Sequence, residues 1–248
     1  MKKILPLLLA SVAVAALADE TAVSVNEFGL LRVDSTLENT IVAVPWLQLS
    51  GSSTESPVVV SDFVKTANLS EGDRLYAFNN GTGLYEAWEI KNGVWEAIGT
   101  VNVDTGAITS PASADTRTLV RGGALWVVRQ NPSAGPFYLF GQSSATPVTT
   151  SVTVGTASAP VWNLVANPTD AAYSLSKITN PGAADEIYII TDGKPVKYLF
   201  KNGSWGTYVY TTRDDGKTVM DWSTAGTTIP RGTGFWYVSK GGSPSFNW

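Results

Sequence analysis

The chain has 248 residues, with 17 Lys and Arg against 21 Asp and Glu, and contains neither cysteine nor histidine. Those two zeros exclude disulfides, thiolate nucleophiles, Ser-His-Asp and Cys-His catalysis, imidazole metal sites and histidine pH switching. The acidic balance, with no basic run anywhere, argues against nucleic acid or an anionic bilayer as partner.

The chain opens MKKILPLLLASVAVAALA. Lys2 and Lys3 form a basic start, residues 4–15 an apolar core, and Ala16-Leu17-Ala18 a small-x-small cleavage pattern. Residues 1–18 therefore read as a secretory signal, and the expected location is periplasmic, cell-surface or extracellular. The apolar run is too short to span a bilayer comfortably. No later stretch approaches the ~20 apolar residues a membrane helix needs, so no transmembrane segment is expected after signal removal. Removing Lys2 and Lys3 from the 17 basic residues leaves 15 against 21 acidic, a net charge of −6. Without cysteine, the mature chain must be held by its core alone.

From residue 19 the texture is β. VSVNEFGLLRV, TIVAVPW, DRLYAF, YEAWEI, VWEAIGTVNV, ALWVV and FYLF are short runs rich in Val, Ile, Leu, Trp and Tyr. Turn residues separate them: Asn79-Asn80-Gly81, Asn92-Gly93 and Asp104-Thr105-Gly106. Asn-Gly suits a tight hairpin because both residues tolerate positive φ. One helical turn is predicted at Ser61–Ala67, with Ser as N-cap. GQSSATPVTTSVTVGTASAP (141–160) reads as a connection containing a strand over Ser151–Val154, so the boundary falls at residue 145.

The rest of the chain repeats the first part. KNGVW (91–95) returns as KNGSW (201–205), LVRGGALWVV (119–128) as IPRGTGFWYV (229–238), and Asp73-Arg74-Leu75-Tyr76 as Asp185-Glu186-Ile187-Tyr188. Val42-Ala43-Val44-Pro45 matches Val165-Ala166-Asn167-Pro168, and Pro136, Tyr138 and Phe140 match Pro244, Phe246 and Trp248. Trp95 to Arg121 and Trp205 to Arg231 are both 26 residues. A second helical turn is predicted at Ser174–Thr179. The expected fold is all-β: two tandem homologous sandwich or barrel-like modules, 19–145 and 146–248, each with at most one short helix.

Three chemistries are weighed on this frame. Asp104-Thr105-Gly106 matches the aspartic-protease signature, and Asp214-Asp215-Gly216 holds the equivalent place, so a carboxylate pair can be drawn. Both stretches also read as hairpin tips. Glu86, Glu89 and Glu96 lie near aromatics and keep a glycosidase reading open. Neither Asp104 nor Asp214/Asp215 sits in a spaced run of calcium ligands, so no metal and no cofactor is expected.

Nine tryptophans remain to be placed. Trp95/Trp205 and Trp126/Trp236 recur in both modules and are expected in the shared core, with Trp248 as a last-strand core residue. Trp46, Trp88, Trp162 and Trp222 have no aromatic partner in this comparison. Trp88 with Tyr85, and Trp222, are the ligand-binding candidates, as stacking platforms for sugar rings; sheet packing is the competing reading. No residue is assigned a catalytic role.

Glu27-Phe28-Gly29-Leu30-Leu31-Arg32-Val33 followed by Thr40-Ile41-Val42-Ala43-Val44-Pro45 resembles a family of uncharacterised secreted bacterial proteins. Trp162-Asn163-Leu164-Val165 through Pro230-Arg231-Gly232-Thr233-Gly234-Phe235-Trp236 is similar to the W-N-L-[IV]…P-G-x-G-[FY]-W modules of bacterial surface proteins. The resemblance implies secretion and fold, and brings no catalytic residues. The expected role is a non-catalytic binding or structural one at the cell envelope, with a glycan or an envelope protein as partner. A carboxylate-dependent hydrolase and a filament or surface-layer subunit are the alternatives.

Overall fold

A computed structural model describes residues 28–33, 39–44, 58–60, 64, 68–80, 82–102, 105, 107–109, 118–119, 121–131, 135–142, 148–169, 171–191, 194–224 and 226–248. Residues 1–18, read above as a secretory signal, lie outside them.

The protein is all-β and written twice. The first ten strands are β1 (Phe28–Val33), β2 (Asn39–Ala43), β3 (Val58–Val59), β4 (Arg74–Asn79), β5 (Leu84–Lys91), β6 (Val94–Val101), β7 (Ile108–Thr109), β8 (Thr118–Leu119), β9 (Ala124–Val128) and β10 (Phe137–Gln142). The next ten are β11 (Thr149–Ser151), β12 (Val161–Ala166), β13 (Tyr173–Ser174), β14 (Glu186–Thr191), β15 (Lys194–Lys201), β16 (Ser204–Thr212), β17 (Thr218–Ser223), β18 (Thr228–Ile229), β19 (Gly234–Ser239) and β20 (Ser245–Asn247). The six-stranded sheet β2-β9-β4-β5-β6-β7 is matched by β12-β19-β14-β15-β16-β17. Likewise β1-β10 answers β11-β20, and β3-β8 answers β13-β18.

Local chemistry explains the shared landmarks. Asn92-Gly93 and Asn202-Gly203 all have positive φ (53° and 77°, 54° and 78°), the geometry a two-residue hairpin turn requires. Trp95 and Trp205 open the strands after these turns and are buried in their respective cores. Asp73 and Asp185 are both fully enclosed and accept equivalent backbone hydrogen bonds. Asp73 takes them from Ser70 (2.8 Å) and Gln130 (2.6 Å), Asp185 from Gly182 (2.7 Å) and Lys240 (2.6 Å).

Four details differ from the expectations above. The second half's first strand is Thr149–Ser151, so Val152–Val154 lie beyond it. At the chain end the proposed match is one residue out of phase. Phe137 and Leu139, not Tyr138, face the first core as Phe246 faces the second, and a single-residue slip turns a strand's side chains to the other face. The predicted helical turn in the second half is a 3₁₀ turn, Leu175–Lys177, capped by the Ser174 hydroxyl. Of the first, only Val60 and Val64 are described; the Val64 N–H reaches the Val60 carbonyl at 2.9 Å.

The fourth difference matters most for function. Trp126 and Trp236 do not enter the module cores. They alternate with Leu125/Val127 and Phe235/Tyr237, which do, so the tryptophans project from the opposite sheet face. There they join a second apolar layer between the halves, built from Ala43, Ala124, Leu164 and Ala166 with Ile41, Phe78 and Trp236. The backbone contact is reciprocal: Ala43 N–H donates to Gly232 (2.9 Å), and its counterpart Ala166 N–H donates to Gly122 (3.3 Å). Equivalent residues exchanging equivalent bonds is the pattern of an isologous contact. Close approach requires the missing side chain of Gly234, where a Cβ would lie 2.3 Å from Ile41 Cγ2.

Candidate binding site

The three sequence candidates fall in different environments. Trp88 is 1% exposed in the first core, against Leu75, and presents no open ring face. The ladder also supplies the counterpart that the sequence comparison missed: Trp88 pairs with Leu75 as Tyr198 pairs with Ile187. Tyr85 is buried on the other face, within 6.3 Å of Phe78, Tyr76, Trp126 and Trp236, and burial pushes its phenol up to about 12. Both belong to packing layers. Trp222 is half-buried and stands elsewhere.

Trp222 sits at the root of an arm. In the first half β5 and β6 stay paired from Tyr85–Val101 to Lys91–Val94. In the second half β15 and β16 pair only at Leu199–Gly206, Phe200–Trp205 and Lys201–Ser204. Beyond Gly206, β16 pairs with β17 alone, from Thr207–Ser223 to Thr212–Thr218. Gly206 permits the bend, because a Cβ there would meet the Trp222 ring at 2.5 Å. Trp222 is braced by Tyr208 (5.2 Å between rings) and by the Lys201 ammonium 5.9 Å above it. The arm then exposes Tyr208, Val209, Met220 and, at 78%, Tyr210. A two-stranded ribbon has no core of its own, so apolar side chains on it remain in water unless a partner covers them.

A second aromatic surface lies on the same sheet, at its opposite edge. Trp162 is 47% exposed on β12. Its ring stacks on Tyr188 at 5.4 Å and 26°, and Trp236 meets it edge-on at 5.9 Å. Beside it, Glu186 is buried but paired: Lys197 (2.6 Å) and Lys240 (2.8 Å) both reach its Oε1, and the Tyr188 hydroxyl donates to Oε2 at 2.8 Å. The Lys197 ammonium also lies 5.6 Å over the Tyr188 ring. A groove of about 430 Å³ opens where β16 leaves β15, lined by Lys197, Leu199, Tyr208 and Tyr210 among others. Lys197 thus lies between Tyr188, which carries the Trp162 stack, and the arm's root.

Comparison with protein-family models, curated proteins and solved structures returns no match.

The signal for Trp162 was present in the sequence. Its ladder counterpart is Asn39, since Asn39 faces Val128 as Trp162 faces Val238. A large aromatic present in one copy, and polar in the other, is not needed by the shared fold. Trp46 lies outside the described residues.

Of the acidic candidates, Glu89 and Glu96 stand opposite each other on β5 and β6, and no other described contact brings two of them together. Asp214 and Asp215 occupy an exposed turn closed by the Arg213 N–H to Lys217 carbonyl bond (2.9 Å), with Lys217 paired to Asp215. Asp104 lies outside the described residues. Glu89 is bonded to Arg74 at 2.8 Å, and Glu96 is exposed. Glu86 lines a cleft of about 580 Å³ between the halves, with Asn80, Arg121 and Thr150. No cluster of three or more acidic side chains suited to a metal occurs among the described residues. No helix among them is long and apolar enough to cross a membrane.

Glu186 has a testable pH signature. Burial raises its pKa, but the hydrogen bonds from Lys197, Lys240 and Tyr188 outweigh burial and hold it below the ordinary value. A carboxyl depressed in the folded state contributes stability above its unfolded pKa, about 4.3, and loses it as pH falls through the folded value. Glu186→Gln is therefore expected to cost about 1–2 kcal/mol at pH 7. The gap from wild type should narrow below pH 4 in urea melts. A gap that is constant from pH 7 to pH 3 refutes the ion-paired description.

Proposed function

We propose that this is an exported, non-catalytic binding or structural protein of the bacterial cell envelope, contacting a glycan or an envelope protein through the outer face of its second half. The arm carries this reading. The duplicated fold is complete without it, as the closed β5–β6 pairing of the first half illustrates. The second half instead splits β15 from β16 and exposes Tyr210 and Met220. Exposed apolar side chains on a ribbon cost solubility and offer the fold no packing in return, so a partner's surface supplies the reason for them. The signal-like residues 1–18 and the likeness of the WNL…RGTGFW segment to bacterial surface modules support export. The lack of histidine and cysteine supports a non-catalytic role.

The arm supplies the test. Tyr210→Ser with Met220→Ser is expected to leave the melting temperature within about 2 °C, because exposed side chains away from special features contribute little to stability. Retention of the purified protein on isolated bacterial envelopes should fall at least tenfold. Unchanged retention would dismiss the arm as the contact surface.

A second reading has one observation in its favour. β17 ends the six-stranded sheet as a six-residue strand paired on one side. Such an edge offers backbone groups to another strand, as a filament or layer subunit requires. Concentration-dependent assembly that is abolished by proline at Met220 would favour it.

A further inference from the structure

We infer that Trp162 is the stacking platform of a glycan-binding site, taking the C–H face of a pyranose ring while Lys197 and Tyr188 hydrogen-bond its hydroxyls. The inference rests on the binding-protein reading, but concerns a surface distinct from the exposed tip of the arm.

Three observations combine. The first is the exposure of a rigid indole. Trp162 is half open to solvent, yet it is held by the Tyr188 ring and by the edge of Trp236. A preordered ring loses little side-chain entropy on binding. Its face carries the negative lobe of the aromatic quadrupole, which attracts polarised C–H groups.

The second is the polar chemistry around Tyr188, the ring stacked on Trp162. Lys197 spends one N–H on Glu186 and another on the Tyr188 hydroxyl, and keeps a third on a side chain that is about half exposed. The Tyr188 hydroxyl donates to Glu186, accepts from Lys197 and retains one further lone pair as an acceptor. A donor and an acceptor beside a flat apolar surface match a sugar, which is apolar on one face and rimmed with hydroxyls. Lys197 and Lys240 are both already paired with Glu186, so neither ammonium is held ready for a carboxylate and the surface suits a neutral ligand better than a strongly anionic one.

The third is the duplication itself. Asn39 stands where Trp162 stands, and Arg74 where Glu186 stands. The first half keeps the strands and lacks this constellation. A packing role would have been expected in both copies.

The experiment uses the full mature chain on an array of linear pyranose oligosaccharides, α- and β-linked, neutral and uronic. At least one neutral oligosaccharide is expected to bind. Trp162→Ala should weaken it at least tenfold, and Trp162→Phe, which keeps an aromatic face, should retain most of the affinity. Lys197→Ala should weaken it severalfold. Both alanine variants should keep the wild-type circular dichroism spectrum. The Tyr210→Ser/Met220→Ser arm variant should bind the same sugar normally. If no oligosaccharide binds, if only uronic ones bind, or if Trp162→Ala binds as wild type does, the inference is overturned. Envelope retention lost only in the arm variant, with no sugar bound, would sink this site and leave the proposed function standing.

Discussion

Replacing Trp88 with alanine is expected to destabilise the protein by about 3–5 kcal/mol and to leave ligand affinity unchanged at temperatures where the variant is folded. Its side chain is 1% exposed and packs in one cluster with Leu75, Ile90, Leu125 and Val127. Truncation forfeits the transfer energy of the indole and leaves a cavity that the surrounding strands cannot close, because a paired sheet has little freedom to collapse. At roughly 2–4 °C per kcal/mol for a chain of this size, the melting temperature should drop by about 10 °C or more. Thermal unfolding by circular dichroism, combined with binding at 15 °C, separates the outcomes. A variant that melts normally but no longer binds would place Trp88 in the site rather than the core.

Replacing Asp185 with alanine is expected to cost about 3–5 kcal/mol through a different mechanism. The carboxylate is fully enclosed and accepts the Gly182 and Lys240 backbone N–H groups and the Tyr237 hydroxyl. Burial, followed by the bond to Asp185, pushes the Tyr237 phenol far above its ordinary pKa, so at any physiological pH it is a donor. Alanine strands three donors where water cannot readily replace the acceptor, each at about 1–3 kcal/mol. Tyr237→Phe is the control. It removes one donor and leaves the carboxylate its two backbone bonds, and should cost only about 1 kcal/mol. If the two variants are equally stable, the carboxylate is not the tie between the loop before β14 and the end of β19. The equivalent Asp73→Ala should be milder, since the corresponding position to Tyr237 is Val127 and one donor fewer is lost.

Both residues were within reach of sequence reasoning, in unequal measure. The match of Asp73 to Asp185 is visible as a repeated Asp-x-[Leu/Ile]-Tyr, but nothing in it says that the acid is buried. That depends on which backbone N–H groups the loops bring to it. Trp88 has no identical residue in the second half, so its counterpart is not visible as a repeated letter. At the 110-residue offset that aligns the KNGxW turns it meets Tyr198, a different residue filling the same layer. Trp126 and Trp236 show the converse. Recurrence in both copies suggested the core, whereas strand alternation puts them on the face that joins the halves.

Chain order, strand content, the hairpin turns and the duplication were all determined by the sequence alone. They depend on local rules: period-two apolar patterning, the positive φ that Asn and Gly tolerate, and a repeat offset that survives drift. Only the tertiary structure decided which face each aromatic ring occupies, that β16 parts from β15 to form an arm, and that Trp162, Tyr188, Lys197 and Glu186 meet although they lie on three different strands. Those outcomes turn on register and on contacts between residues far apart in the chain. A shift of one position along a strand reverses the side chains' faces without altering any local signal.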